Sequence, residues 1–257
     1  MSKIQSIDKF TRYTSYELDA LTEFNPDMEI EFNICEGTKY LKVRNILKRP
    51  DDFREFLTKF PTEDRNMSIE KNGVSHVSSK APGFQQPIES TYFMMLSDGL
   101  YKLGKTNKLF RYTKDDLDFE YFTNCCYPGM KSYNMNYLPH VDPFSIAANI
   151  YLTDTPNTGT SFFKFKGKDD KSFYSVSDLM RDGARGREAY DKHIEKCYGA
   201  VGFSDWKTYT GDDFFTRYLY LPAEYNSCSM YRGNRWHGIT YDANCDDIRY
   251  SIVGVMR

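Results

Sequence analysis

One segment of the chain carries two side chains whose types and spacing could bind a metal ion. His140 and Asp142 form a His-x-Asp pair in YLPHVDPF, and the whole chain has only four histidines. Residues two apart on a β-strand point to the same face, so a strand here would project both groups into the interior of a barrel. Pro139 and Pro143 flank the pair, and a surface turn is therefore the alternative.

A third ligand is available near the C-terminal end of the sequence. His237 lies in YRGNRWHGITYD, between two predicted strands. Two imidazoles and one carboxylate on one face of an octahedral metal leave three positions open, which is the arrangement of non-haem iron(II) oxygenases. Two of these positions could take the 2-oxo and C1-carboxylate oxygens of 2-oxoglutarate, and the last could take O2. Zinc could also occupy such a site.

A cosubstrate of this kind has a second carboxylate, which needs a cation. Arg249 lies in DIRYSIVGVM, and if 236–241 and 247–256 are successive strands it returns beside the metal. Its planar guanidinium can hold a carboxylate through two hydrogen bonds. Ser251 points to the same face and can donate another. Apolar neighbours indicate that this strand is buried, and a buried arginine needs an anion.

The runs after about residue 119 predict a mainly β core with flanking helices. Turn-forming residues separate the short aromatic and β-branched runs, a pattern typical of a sandwich or barrel. Aromatic residues make up 16% of the chain, which favours strands. The predicted strands lie at roughly 119–127, 145–153, 160–166, 216–221, 227–232, 236–241 and 247–256. A helical insert is expected at about 167–215, within which 175–198 has helical character.

The first part of the chain predicts helices and supporting strands. Thr14 and Glu17 have the spacing of a capping box, which opens a helix that runs through Leu21. Further predictions are a strand at 40–47, a helix from Asp51 or Asp52 to Pro61, and a helix over 88–102 that ends at Gly104. We therefore expect a single domain over 1–257, with helices and supporting strands in 1–118 and a catalytic core in 119–257.

Composition and charge limit the classes of partner and the compartment. The net charge is −2 with both signs interspersed, which argues against general nucleic-acid binding. No stretch approaches the ~18 apolar residues of a membrane span. The six cysteines form no Cys-x-x-Cys pair, so we expect free thiols in a reducing compartment. The first residues lack the apolar core of a secretory signal, so the expected location is the cytoplasm, that of the host if the protein is viral.

The order His-x-Asp, distant His, Arg-x-Ser resembles the 2-oxoglutarate/iron(II) dioxygenase superfamily. The segment NIYLTDTPNTGTSFFKF, at 149–165, resembles its prolyl-hydroxylase-like branch, in which a Tyr-Leu strand leads to a Gly-Gly-x-Thr turn. Here the turn reads Asn157-Thr158-Gly159-Thr160, so the first glycine of that pattern is absent. PHVD, IYL, GTSFFKFK and YRGNRWH together resemble the oxygenase-like DUF6445-like proteins, over roughly residues 40–257.

The resemblance implies a double-stranded β-helix, the jelly roll of cupin-like proteins. It implies that Arg249 and Ser251 bind the C5 carboxylate of 2-oxoglutarate, and that Tyr151 donates to the same group, although Tyr151 could equally be a core residue. The implied iron ligands are His140, Asp142 and His237. Because halogenating relatives replace the carboxylate ligand with a small residue, Asp142 favours hydroxylation or demethylation. The implied activity couples decarboxylation of 2-oxoglutarate to succinate with oxidation of an unidentified small-molecule or macromolecular substrate.

Residues that could contact that substrate are Lys164, on the strand after Gly159-Thr160, Arg235, and Tyr133, upstream of the His-x-Asp pair. Each could instead be a surface or packing side chain. Two alternatives to the oxygenase are open. One is a non-catalytic structural or interaction protein that retains the jelly roll. The other is a cupin-like enzyme with another metal and no cosubstrate, which would have no carboxylate for the Arg-x-Ser pair to bind.

Overall fold

The computed structural model describes most of the chain outside its first fourteen residues. The described ranges are 15–58, 63–64, 68–71, 74–77, 84–88, 93–111, 119–126, 139–142, 145–166, 172–181, 188, 215–240 and 249–256. The described helices are α1 (Ser15–Leu21), α2 (Pro50–Thr58), α3 (Met94–Thr106) and α4 (Val176–Arg181). None of them is long and apolar enough to cross a membrane.

The strands fall into a first group that precedes the predicted core and a second group within it. The first group is β1 (Glu29–Cys35), β2 (Thr38–Arg44), β3 (Glu63–Asp64), β4 (Ser68–Lys71), β5 (Val74–Val77) and β6 (Phe84–Ile88). The second group is β7 (Phe119–Cys126), β8 (Ile146–Tyr151), β9 (Gly159–Lys166), β10 (Ser172–Phe173), β11 (Phe215–Pro222), β12 (Ser227–Tyr231), β13 (His237–Thr240) and β14 (Arg249–Met256).

Two large antiparallel sheets form the fold, and β4 and β5 pair as a separate two-stranded sheet. The major sheet has the order β1-β2-β12-β8-β14-β7-β6-β3, and in the minor sheet β9 pairs with β10, β11 and β13. In chain order the strands pass between the two sheets, with β8, β12 and β14 in the major sheet and β9, β11 and β13 in the minor sheet. This mainly β jelly roll is the fold class that the sequence predicted.

The central strands β8, β12 and β14 of the major sheet are buried on both faces, and alternate side chains of each strand point to opposite faces. On β8, Ile146, Ala148 and Ile150 belong to the core beneath the helices. Asn149 and Tyr151, which alternate with them, face the other way and contact the minor sheet. The helices cover the first face with side chains such as Phe53, whose ring packs edge-on against Phe93 at 5.5 Å. Polar groups therefore collect between the two sheets.

One predicted helix of the N-terminal part differs from the observed one at both ends. The helix expected over 88–102 is wrong at its start, because Ile88 ends β6 and α3 begins only at Met94. Gly104 does not end that helix, since α3 continues to Thr106. Gly104 instead makes room for the ring of Phe110, whose Cε1 would lie 2.1 Å from a Cβ at this position. The helix at Ser15–Leu21 and the strand runs predicted from 119 onward match observed elements. The expected helical insert at about 167–215 contains the short strand β10, its described helix is α4, and most of the remainder lies outside the described residues.

The turn before β12 is held by one buried side chain, and this makes a testable prediction. Asn226 has φ 52° and donates from Nδ2 to the carbonyl oxygen of Leu47 at 2.9 Å, while its Oδ1 accepts from the Leu47 N–H at 3.0 Å. Asn226→Ala should lower the free energy of unfolding by about 2–4 kcal/mol, because it leaves both main-chain groups unpaired and places alanine in the left-handed region.

Urea denaturation with an unchanged slope would measure this loss. Asn25→Ala is the matched control, since the Asn25 side chain accepts one exposed hydrogen bond, from the Asp27 N–H. The control should shift the unfolding free energy by no more than ~0.5 kcal/mol. Equal effects of the two variants would contradict the role assigned to Asn226.

Candidate metal centre

A short segment rather than a strand presents the first two side chains of the site. His140 and His237 form an isolated antiparallel bridge, in which each backbone N–H donates to the carbonyl oxygen of the other at 2.8 Å. The Asp142 N–H donates to the Gly233 carbonyl at 2.9 Å. Val141 packs against the aromatic cluster of Phe163, Phe165 and Trp236 on the outer side. His140 and Asp142 therefore point to one side and Val141 to the other, as predicted for a strand, although this segment is not a strand.

The bridge brings three ligating side chains together. The ligand atoms of His140, Asp142 and His237 all lie within 4.8 Å of one another. One Asp142 oxygen is 3.1 Å from His237 Nε2, and the other is 3.7 Å from His140 Nε2. The two imidazole centroids are 4.7 Å apart. Two imidazole nitrogens and a carboxylate oxygen clustered in this way can hold a divalent metal ion and leave its other positions open.

The orientation of His237 is fixed by its surroundings. A carbonyl oxygen can only accept, so His237 Nδ1 donates its proton to the Arg235 carbonyl at 2.7 Å. This contact turns Nε2 toward Asp142, as a hydrogen bond from the other ring nitrogen commonly does for metal-binding histidines. Tyr231 and Phe162 pack beside the ring at centroid distances of 5.1 and 6.1 Å. His237 is thus buried and preorganised as a ligand.

The contact between Asp142 and His237 sets the charges of these two side chains. Burial alone would raise the pKa of Asp142 and lower that of His237. Their mutual attraction and hydrogen bond outweigh burial, so the pKa of Asp142 lies below and that of His237 above its ordinary value. The carboxylate is therefore anionic, and a bound cation would take the place of the His237 proton.

A second group of buried polar side chains lies between the sheets on β8 and β14. Ser251 is directly opposite Tyr151 in the strand register, and Arg249 Cζ lies 5.3 Å from the centroid of the Tyr151 ring. Arg249 and Ser251 are buried at 2% and 0% exposure. Among the described residues, Arg249 Nε and Nη1 and Ser251 Oγ have no hydrogen-bond partner. A buried cation with unused donors is costly, so this group fits an anion that accepts from both residues.

The prediction for Arg249 rested on two successive strands, and the structure places these two strands in different sheets. β13 and β14 follow each other in the chain, but β13 pairs with β9 in the minor sheet and β14 pairs with β7 and β8 in the major sheet. The chain passes from the minor sheet at β13 to the major sheet at β14. Arg249, the first residue of β14, then faces the minor sheet and lies between the two sheets.

A polar network that the sequence did not reveal connects the two groups. Tyr151 Oη lies 3.1 Å from Thr160 Oγ1, and Asn149 Nδ2 donates to both Thr160 Oγ1 at 3.3 Å and Tyr231 Oη at 3.0 Å. Tyr231 then packs against the His237 ring. The only signal in the sequence was the two-residue spacing of Asn149 and Tyr151, which puts both on one face of β8.

The three predicted substrate contacts have different surroundings. Lys164 is partly buried and shares a face of β9 with Thr160 and Phe162, which point between the sheets. The Arg235 guanidinium donates to the Gly37 carbonyl at 3.2 Å and lies 3.6 Å from Asp178. The main-chain carbonyl of Arg235 accepts the hydrogen bond from His237. Tyr133 lies outside the described residues.

Comparison with known proteins finds only remote structural similarity. No family model and no curated protein matches the chain. The 2-oxoglutarate-dependent carbocyclase SnoK from nogalamycin biosynthesis is similar over 84% of this chain and 78% of its own, at 11% identity and a TM-score of 0.43. A putative oxygenase from Shewanella oneidensis matches 98% of this chain and 86% of its own, at 10% identity and a TM-score of 0.39. A Pseudomonas putida prolyl-4-hydroxylase matches 68% of each chain, at 11% identity and a TM-score of 0.34.

Proposed function

We propose that this protein is an iron(II)- and 2-oxoglutarate-dependent oxygenase, and specifically a hydroxylase that couples decarboxylation of 2-oxoglutarate to succinate with oxidation of a substrate. One observation carries the proposal. Among the described residues, buried donor atoms of Arg249 and Ser251 have no partner, in the same chain that brings the His-Asp-His cluster together. A buried cation of this kind is costly unless an anion pairs with it, and an anionic cosubstrate would supply that anion.

The proposed iron ligands are His140, Asp142 and His237. Imidazole and carboxylate suit iron(II), and the anionic state of Asp142 prepares the site for a cation. Bound iron(II) supplies the redox chemistry by which O2 and 2-oxoglutarate react. The chain contributes a ligand set held in place by the His140–His237 bridge and by the Arg235 carbonyl.

Arg249, Ser251 and Tyr151 are proposed to bind the C5 carboxylate of 2-oxoglutarate. The Arg249 guanidinium can donate from Nε and Nη1 to the two carboxylate oxygens, and Ser251 Oγ can add a third hydrogen bond. Burial raises the pKa of Tyr151 more than the nearby cation lowers it, so its hydroxyl stays protonated and can donate. Such contacts are strong because water is excluded around them.

The proposed catalytic core spans 119–257, and the first part of the chain supports it. β2 pairs with β12 along five residues and so extends the major sheet that carries Arg249 and Ser251. The buried rings of Phe162 and Tyr231 exclude water beside His237. A dry and shaped interior protects a reactive centre and orients the substrate.

Anaerobic titration of the iron(II)-loaded protein with 2-oxoglutarate tests the proposal. We expect the weak visible charge-transfer band of the chelate to appear and to saturate at one cosubstrate per chain. Succinate is the matched control, because it keeps both carboxylates but lacks the 2-oxo group and should give no band. Iron binding without the band would refute the cosubstrate, and failure to bind iron would refute the metal centre as well.

A further inference from the structure

β1 forms an open edge of the major sheet. Among the described strands it pairs only with β2, and six of its seven residues are exposed while Cys35 is intermediate. The strand at the other edge, β3, has only two residues. Proteins commonly protect sheet edges by making them short, charged or covered. Among the described strands, β1 is thus a full-length edge that is available for pairing.

The edge strand carries a row of apolar side chains. Ile30, Phe32 and Ile34 alternate along one face and are 40%, 38% and 59% exposed. In the register with β2, Ile30 is opposite Val43 and Phe32 is opposite Leu41, both of which are fully buried beneath the helices. The row therefore continues the core face of the sheet to its outer edge. Such exposed apolar surface commonly marks an interface.

The backbone of the same three residues points outward. The turn between β1 and β2 consists of Glu36 and Gly37, with φ of 47° and 74°, as in a two-residue type I′ hairpin. Cys35 and Thr38 are then a hydrogen-bonded pair, and alternate residues back along β1 also bond to β2. The N–H and C=O groups of Ile30, Phe32 and Ile34 consequently face away from β2.

We propose that β1 pairs with β1 of a second copy of this chain, antiparallel about a two-fold axis at Phe32. In this register Phe32 is opposite its own counterpart, and Ile30 of each copy is opposite Ile34 of the other. On the other face Glu31 is opposite Asn33. Each copy presents the same outward-facing groups, as a closed two-fold interface requires. The pairing would join the two major sheets into one continuous sheet.

The side chains of β1 favour this register over its neighbours. Centring the axis on Glu31 would place two carboxylates directly opposite each other, which is destabilising. Centring it on Asn33 would place Ile30 opposite Glu36. Only the Phe32-centred register matches every apolar residue of the row with another one. Glu29 and Glu31 already have a cation in their own chain, since both form ion pairs with Arg44.

Sedimentation velocity of the full-length chain over a concentration series tests the pairing. We expect a monomer–dimer equilibrium in the unaltered protein. Phe32→Glu should raise the dissociation constant on the order of a hundredfold, because it removes the central aromatic pair and places like charges at the axis. Phe32→Lys should act in the same way. Tyr16→Glu, at a residue of α1 that is 81% exposed, is the control and should leave the dimer unchanged.

Mixing the two charged variants tests the register itself. Because position 32 faces its own counterpart, Phe32→Glu and Phe32→Lys should form a heterodimer although neither variant dimerises alone. Circular dichroism shows that each variant is folded. A monomer at every concentration of the unaltered protein, or a dimer that persists in Phe32→Glu, would overturn the pairing through β1. A mixture of folded variants that stays monomeric would overturn the register.

Discussion

Replacing His237 with alanine abolishes stoichiometric iron(II) binding, and replacing His140 with alanine does the same. Each change removes one of three ligand atoms that lie within 4.8 Å of one another. Loss of a residue that only orients a ligand costs about 10–100-fold in metal affinity, so loss of a ligand should exceed ~100-fold. His140 is the safer variant for the fold, because its side chain is 35% exposed whereas that of His237 is 5% exposed.

Iron content after anaerobic loading and desalting measures this effect, and circular dichroism shows that the fold is kept. The chain offers matched controls in its two other histidines, because His76→Ala and His193→Ala make the same chemical change at residues that are not among the three proposed ligands. Both controls should bind one iron per chain. Stoichiometric iron in His140→Ala or in His237→Ala would refute the assignment of these ligands.

Replacing Arg249 with methionine weakens 2-oxoglutarate binding by on the order of 10²–10³-fold, since truncating one partner of a buried charge pair costs ~2–5 kcal/mol. Iron affinity should change little, because Arg249 is not among the three clustered ligands. The cosubstrate-free variant should be as stable as the unaltered protein or more stable, since methionine removes a buried charge whose donors lack partners among the described residues. The unaltered protein should gain thermal stability from 2-oxoglutarate, and the variant should not.

Arg217→Met is the matched control for this prediction. Its guanidinium also lies over a tyrosine ring, with Cζ 5.5 Å from the centroid of Tyr220, but on a partly exposed part of β11. The control should keep the affinity for 2-oxoglutarate, as measured by the charge-transfer titration. If Arg249→Met binds the cosubstrate as tightly as the control does, then Arg249 has a structural role only.

The sequence by itself determined the elements whose signals are local. The strands from β7 onward, except β10, match runs of aromatic and β-branched residues between turn formers, because an alternating strand shows its period within a few residues. The three clustered side chains were also readable, since the chain has only four histidines and one of them, His140, is two residues from Asp142. α2 buries Phe53, Phe56 and Leu57, the apolar stripe that its sequence predicts.

The tertiary structure alone decided what depends on pairing between distant parts of the chain. It paired the backbones of His140 and His237 and placed β13 and β14 in different sheets. It also brought Asn149, Thr160 and Tyr231 into one hydrogen-bond network. It also left β1 at an open edge, although its sequence differs little from that of a covered strand. These features follow from register and sheet order, which are set by contacts between residues far apart in sequence and which no local pattern records.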